Sequence, residues 1–362
     1  MQVTIVDSLP ELQALRTDWN RLAEPTLFQQ IAWVEAWWLA FQREGQQLVV
    51  LLVKHDDEVK AILPLYADNT VKFGRTLAFL GSGKACGDYL DLIADLDCVE
   101  AACDALVGSL LGSEENEKVI AWDTMSLEGI RTGESNAEML AHKLSCFGCG
   151  VDHRTIESAW RMTLPNSWES YISGLSKRTR RTIRTLDRDY IRPGHVTMEV
   201  IREPNAVSEH MPLLIEMHEA RREQLKESGC FSVSGFQPFI EDLLRLLDSQ
   251  LLEIRLLRYQ GKPIAINLGH IVDSCFYIYQ CGFVPNYEKH KPGWILNTLT
   301  IQEGIAGAFD VIDFLRGDER YKQSLGAVAT PLGRLEISAP TSAAMLRRSI
   351  RMTGSSLKQW WN

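Results

Sequence analysis

Asp318 and Lys322 lie four residues apart in the run Arg316-Gly317-Asp318-Glu319-Arg320-Tyr321-Lys322, directly after an apolar stretch at 311–315 that reads as a strand. Acyl transfer needs a base to take a proton from the attacking amine or hydroxyl and a donor to hold the oxyanion that forms. Asp318 suits acceptor binding or the base, and Lys322 suits oxyanion or substrate contact. Arg316 and Tyr321 flank them as candidate substrate contacts. Asp318 has a second reading, as the cap of a short helix expected at 319–325, a position Asp often fills. Tyr279 could serve as an acid toward a leaving thiolate, although a tyrosine in a strand more often packs.

A polar loop at 284–291 precedes that strand and carries Lys289, His290 and Lys291. It ends in Pro292-Gly293-Trp294, which opens an expected helix over 293–308. Free N–H groups at a helix start attract anions, and proline suits the first position because its missing N–H is no loss there. Strand, cationic loop and helix start together make a cradle for a phosphate-bearing donor, with His290 a phosphate contact or a surface residue.

The elements that must position these residues follow from apolar runs and turn signals. Strands are expected at 252–259, 263–272 and 274–283, joined by links short enough for antiparallel hairpins. A final strand is expected at 333–338. Upstream, a strand at 159–164 leads to a helix start at Asn166 and Glu169. One long helix would then carry Ile172, Leu175, Ile183, Leu186 and Tyr190 on one side. Its other side is basic, and residues 176–192 have a net charge of +5. Solvated faces normally mix signs, so this face reads either as solvated or as a site for a phosphate on a substrate, RNA or lipid. Lys177, Arg181 and Arg184 are the candidate contacts. A strand at 196–202 and helices at 208–228 and 235–249 complete this half.

The N-terminal half repeats a weaker version of the order. Helices at 9–24 and 30–43 precede a hairpin of strands at 48–54 and 58–66. A strand at 76–80, a glycine loop at 81–87, a strand at 88–93, a helix at 98–111 and a strand at 118–125 follow. Trp33 and Trp37, at i and i+4, read as a core stripe. The glycine loop lacks the spacing of a phosphate loop, because Lys84 precedes the last glycine and no Ser or Thr follows it.

Composition bounds the rest. At 362 residues two domains are the default, and 45% hydrophobic with 23% charged residues is a globular balance. A net charge of -9 argues against a general nucleic-acid binder. No run approaches the roughly 18 apolar residues that span a bilayer, and the first ten residues lack the features of a secretion signal. A cytoplasmic protein is expected. Cys146 and Cys149 form an isolated C-x-x-C with no second pair and no His at ligand spacing, so no metal is expected and the eight cysteines read as packed thiols. The tail from 341 carries Arg347, Arg348, Arg351 and Lys358 and ends in Trp360 and Trp361. It reads as a docking helix or as a peripheral contact with the inner face of an anionic membrane.

The order of three antiparallel strands, a helix, a strand and a short helix resembles the core of a GNAT acyltransferase. The tandem of two such halves resembles the FemAB-type peptidyltransferases and, more closely, the CelD-like acetyltransferases found beside bacterial cellulose and exopolysaccharide genes. The residues that carry the likeness are Asp88-Tyr89-Leu90-Asp91, the basic helix around Ser176–Arg181, Tyr287 through Gly293, and Asp313 through Asp318 with Tyr321-Lys322. The resemblance implies an α+β fold with mixed sheets, in two tandem GNAT-like domains of which the first is degenerate. The domains would be 1–156 and 157–340, with a basic tail at 341–362.

In that family the third antiparallel strand parts from the next strand, and the pantetheine of acyl-CoA lies in the gap. The resemblance thus implies that Tyr277, Gln280, Cys281 and Phe283 line the donor. Lys289, His290, Lys291, Gly293 and Trp294 would receive the pyrophosphate, and Asp88 and Tyr89 would contact substrate. Acyl-CoA or acetyl-CoA would be the co-substrate, and the acceptor a sugar, lipid-linked sugar or amino-acid derivative. The Gln/Arg-x-x-Gly-x-Gly/Ala pyrophosphate signature is absent, which leaves an aminoacyl-tRNA donor, as in FemAB-type enzymes, as the alternative. A non-catalytic scaffold for polysaccharide synthesis is the third reading.

Overall fold

Two hairpin turns set the antiparallel part of the C-terminal half. Gln260 and Gly261 have φ of 49° and 79°, and Asp273 and Ser274 have φ of 47° and 56°. Two successive residues at positive φ give the turn whose twist matches that of paired strands. In the computed structural model, which describes residues 1–112, 120–247 and 252–359 (the last six as backbone alone), these turns link three strands of a six-stranded arrangement.

The strands are β1 (Gly150–Thr163, entering this unit at Glu157), β2 (Val196–Ile201), β3 (Leu252–Tyr259), β4 (Lys262–Val272), β5 (Cys275–Phe283) and β6 (Val311–Arg316). Their spatial order is 1-6-5-4-3-2, and every neighbouring pair is antiparallel except β5 with β6. The helices are α1 (Trp168–Gly174), α2 (Lys177–Leu186), α3 (Pro204–Leu225), α4 (Phe236–Leu246), α5 (Pro292–Glu303) and α6 (Arg320–Ser324). α5 is the crossover that a parallel pair requires.

Apolar residues of α2 and α5 cover one face of this sheet. Leu186, Ile295 and Leu296 pack on Leu257, Ile264 and Ala265, and Ile183 and Ile301 pack with Phe276, Ile278 and Ile312. The expected single helix from 166 is two helices. Leu175 is extended, and Ser176 starts α2 by accepting the Thr179 N–H at 3.1 Å. Ser167, not Asn166, caps α1. The expected helix over 293–308 ends as α5 at Glu303 and continues as a wider turn over Gly304–Ala308. Asp318 is not the cap of α6, because Glu319 occupies that position.

The other unit has the same spatial strand order, but its last strand in space comes last in the chain rather than first. Strands Gln2–Val6, Gln47–His55, Glu58–Thr70 and Gly74–Phe79 run antiparallel. Gly74–Phe79 then pairs in parallel with Thr124–Arg131, reached through helix Val99–Leu111. Strand Val328–Ser338 pairs antiparallel with Thr124–Arg131. The expected strand at 88–93 is reduced to Ile93–Ala94, since Tyr89 sits at φ 60°. The strand expected at 118–125 begins at Thr124, and its first two positions lie outside the described residues.

The chain divides into two compact units, Met1–Ile156 with Pro331–Asn362, and Glu157–Thr330. Residues 331–340 therefore belong to the first unit, not the second, because their ladder partners are in Thr124–Arg131. Helix Ser342–Gln359 follows the same assignment. Arg347 pairs with Asp123 at 3.1 Å, Arg348 with Asp152 at 2.8 Å and Arg351 with Glu336 at 3.8 Å. Three of the tail's four cations are thus engaged within the unit, whereas Lys358, Trp360 and Trp361 lie outside the described side chains. Among the described residues, no helix is long and apolar enough to cross a membrane.

Candidate functional site

β5 and β6 pair over three residues only, from Cys275 with Val311 to Tyr277 with Asp313. Past that point β6 pairs with β1 at Arg316, and β5 continues to Phe283 beside β4 alone. The strands therefore part, and among the described residues the β5 edge from Ile278 onward has no strand opposite it. β5 also carries a bulge: Gln280 faces Leu268 and Ile278 faces Gly269, which leaves Tyr279 as the extra residue. Bulges interrupt the ladder and re-aim side chains, and they are over-represented beside active sites.

The far lip of the gap is a strained loop. Leu315 has φ 56° and Gly317 has φ 113°, and a non-glycine residue there costs about 1–2 kcal/mol. The buried Asp313 carboxylate accepts the Leu315 N–H at 2.8 Å. Lys322, only 3% exposed, donates to the carbonyls of Leu315, Arg316 and Gly317 at 3.2, 2.8 and 3.0 Å and pairs with Glu319 at 2.9 Å. An ammonium has three protons, so the loop carbonyls and Glu319 engage all of them. An oxyanion could reach Lys322 only by displacing one of these partners.

Around this loop the expected site residues separate by environment. Asp318 is exposed and accepts from Trp160 Nε1 at 3.4 Å. Arg316 is half-buried, with Glu157 3.9 Å away. The Tyr321 ring stands edge-on to Phe314. Burial pushes its phenol well above the ordinary range, and Cys281 and Glu319 add to that shift. Cys281 is exposed, and its thiol pKa is raised, first by desolvation from the surrounding protein and then by Glu319. Tyr277 is buried, with its phenol pKa also raised by burial. Tyr279 stacks on Phe236 with ring centroids 6.4 Å apart.

At the other end of the gap the start of α5 is open. The first helical bond is made by Ile295 to Lys291 at 3.2 Å, so the N–H groups of Gly293 and Trp294 precede it. A Cβ added at Gly293 would meet nothing within 4 Å. Lys289 and Lys291 are exposed beside it, while Trp294 is half-buried in both apolar clusters. His290 is packed: its Nδ1 lies 2.8 Å from the Tyr190 hydroxyl, and its ring lies among Tyr190, Tyr259 and Tyr287. That packing removes it from the free phosphate contacts. Phe283 lies under the Arg221 guanidinium.

The basic helix face is unevenly used. Arg180 caps the preceding helix through the Ser173 and Leu175 carbonyls, and Arg188 and Arg192 pair with Asp189 and Asp187. Lys177, Arg181 and Arg184 are exposed and have no acidic partner among the described residues. With Arg188 they line an open recess of 560 Å³.

In the first unit the corresponding gap is filled by the chain itself. Leu90 donates to the Gly129 carbonyl at 3.2 Å. Asp91 caps helix Asn136–Cys146 by accepting from Ser135 Oγ and from the Asn136 and Ala137 N–H groups at 2.7–2.9 Å. Asp88 is fully buried and Tyr89 is 4% exposed beneath Arg131. Neither side chain is presented to a substrate in this arrangement.

Sequence reasoning missed one cluster in the second unit. Cys230 Sγ lies 3.5 Å from His218 Nε2 and 3.4 Å from Gln280 Oε1, while His218 Nδ1 lies 3.0 Å from the Cys281 carbonyl. All eight cysteines are free, and only Cys103, Cys149 and Cys275 are buried, so the expectation of uniformly packed thiols is corrected. Among the described residues, no group of three or more His, Cys, Asp or Glu could hold a metal ion.

Residues 177–323 match the family model described as an acetyltransferase (GNAT) domain, a span that runs from the start of α2 into α6. Among solved structures, FemX shares the fold with a TM-score of 0.64 at 11% identity, covering 96% of this chain and 99% of that one. A conserved protein of unknown function from Bacteroides thetaiotaomicron gives 0.56 at 11% identity, covering 92% and 100%. The C-terminal domain of a protein described as a lysylphosphatidylglycerol synthetase from Agrobacterium fabrum gives 0.55 at 12% identity, covering 94% and 95%. At such identities the likeness is one of fold. No curated protein matches the sequence.

Proposed function

We propose that this chain is an acyltransferase whose donor is an acyl thioester of coenzyme A, bound in the gap between β5 and β6. The observation that carries the reading is the parting of these strands after Tyr277 and Asp313, next to an open helix start at Gly293. The β5 edge from Ile278 to Phe283 that faces away from β4 suits the amides of an extended pantetheine arm. The N–H groups of Gly293 and Trp294, with Lys289 and Lys291 beside them, suit a pyrophosphate. When bound, the donor supplies an activated carbonyl. Asp318, exposed at the end of β6, is the residue proposed to bind the acceptor or take its proton. Lys322 holds the loop that carries Asp318. The acceptor is a phosphate-bearing sugar, lipid-linked sugar or amino-acid derivative held by Lys177, Arg181 and Arg184.

The unpaired basic stripe on α2 favours a second reading, in which the donor is an aminoacyl-tRNA and the stripe holds its phosphates. Thermal unfolding of the full chain with free CoA, acetyl-CoA, longer acyl-CoAs or aminoacyl-tRNA separates the two. A ligand at about 100-fold over its Kd stabilises by about 2.7 kcal/mol. Stabilisation by the CoA series supports the first reading, whereas a shift with aminoacyl-tRNA alone moves the assignment to the second.

A further inference from the structure

Cys230 and His218 form a thiol–imidazole pair that the donor and acceptor assignments leave unused. His218 Nδ1 is 3.0 Å from the Cys281 carbonyl, which can only accept, so Nδ1 carries the proton. Nε2 then presents its lone pair toward Cys230 Sγ, 3.5 Å away; the thiol donates to Gln280 Oε1 at 3.4 Å and turns from it to give its proton to Nε2. The imidazole is 4% exposed, and its pKa is lowered, first by burial and then by Arg222 against the opposing Cys281 carbonyl and Glu219. It is therefore neutral at physiological pH and able to accept a proton. Phe231 stands edge-on against the ring at 5.2 Å. Gly282 is what lets α3 come close enough: a Cβ there would lie 2.6 Å from the His218 backbone nitrogen.

Position matters as much as geometry. The Cys281 carbonyl and Gln280 both belong to the part of β5 that lies beyond its last pairing with β6. The pair therefore hangs on the edge of the gap, and Cys230 is only partly buried. A nucleophile, a neutral base within reach of it and a third group fixing the base's tautomer is the arrangement that activates a thiol.

We propose that Cys230 accepts the acyl group as a covalent thioester, with His218 as its base, so that transfer proceeds in two displacements. This rests on the acyltransferase reading above. In the first, Cys230 Sγ bonds to the acyl carbon of the donor thioester while the carbon–sulfur bond to the donor breaks. The thiol proton passes to His218 Nε2 and then to the departing CoA sulfur. In the second, the acceptor amine or hydroxyl attacks the Cys230 thioester and gives its proton to Nε2, and Cys230 leaves and takes that proton back. No redox change or further reactant is involved.

The full chain is mixed with acetyl-CoA without acceptor, quenched in acid and mapped by peptide mass. One acetyl group on the Cys230 peptide, labile to hydroxylamine, is expected. Its rate of formation should fall by at least ~100-fold in His218→Asn, and Cys146→Ser should leave it unchanged. Turnover of acetyl-CoA with no acyl group on Cys230, and with Cys230→Ala fully active, would overturn the proposal while leaving the acyltransferase reading intact. Absence of both CoA binding and turnover would overturn that reading and this one together. Alkylation by iodoacetamide decides the case if the variants do not fold. Cys230 should react faster than the exposed Cys146 in the unaltered chain, and equal or slower reaction counts against an activated thiol.

Discussion

Tyr277 and Asp313 are the last paired residues of β5 and β6, and three pairs hold together strands of nine and six residues. Every assignment at the site depends on that parting. It leaves the outer β5 edge without a strand, lets Arg316 reach β1, and leaves Cys281 within electrostatic reach of Glu319, Tyr321 and Lys322. Lys322 is the fixture of the loop from Leu315 to Gly317.

Replacing Lys322 with Met should therefore act first on stability. The substitution leaves three carbonyls of a partly buried loop without their donor and Glu319 without its partner. A loss of about 3 kcal/mol is expected from breaking such a network, read as a lower denaturant midpoint. Lost turnover at an unchanged midpoint would instead place the ammonium in the chemistry. Asp318→Ala, by contrast, should keep the midpoint within about 0.5 kcal/mol, since the side chain is exposed, and lower acyl transfer.

Gly293→Asp separates donor binding from folding. The position has room for a side chain, and a carboxylate in the first turn favours the helix by about 0.3–1 kcal/mol. The same charge should repel a pyrophosphate. Calorimetric titration should show CoA affinity reduced by at least ~10-fold at unchanged or raised stability. Undiminished affinity would remove the start of α5 from the donor site.

Stability should carry a signature of His218. Its folded pKa is lowered from 6.5 by burial, so the unfolded chain binds the proton more readily. Stability is then fully present above pH 6.5 and is lost as pH falls from there toward the folded pKa. The difference in unfolding free energy between the native chain and His218→Asn should shrink as pH drops below 6.5. A difference constant across that range would contradict a buried neutral imidazole.

The basic stripe predicts a loss of binding without a loss of fold. Arg181→Glu and Arg184→Glu touch no ion pair on their own helix and should shift stability by less than about 0.5 kcal/mol. Affinity for pyrophosphate or a phosphosugar should fall and lose part of its salt dependence. Equal binding by variant and native chains would return this face to solvent.

Local sequence signals reached the elements well where the signal was itself local. Gln260-Gly261, Asp273-Ser274 and Pro292-Gly293 marked turns and a helix start, and strands β3 to β6 emerged close to their observed bounds. The break at Leu175 was hidden because apolar spacing continues across it, and Ser176 was read as part of a helix it actually begins. The last strand was assigned to the wrong unit because its partner, Thr124–Arg131, lies two hundred residues earlier in a ladder that no periodicity records. The resemblance implies substrate contact for Asp88 and Tyr89 in a strand at 88–93, but both side chains are buried and Tyr89 takes a positive φ that breaks the strand. Cys230, His218 and Cys281 span some sixty residues and meet only through α3 lying on Gly282. A lone histidine in an apolar helix face gave no sign of it.

Hydrogen exchange on the full chain, with and without saturating acetyl-CoA, tests the central claim most directly. Slowed exchange is expected at those β5 amides between Ile278 and Phe283 that face away from β4 and at Gly293 and Trp294, with little change in the filled gap of the first unit around Leu90. Unchanged exchange along the β5 edge and at the α5 start would contradict a donor lying between β5 and β6.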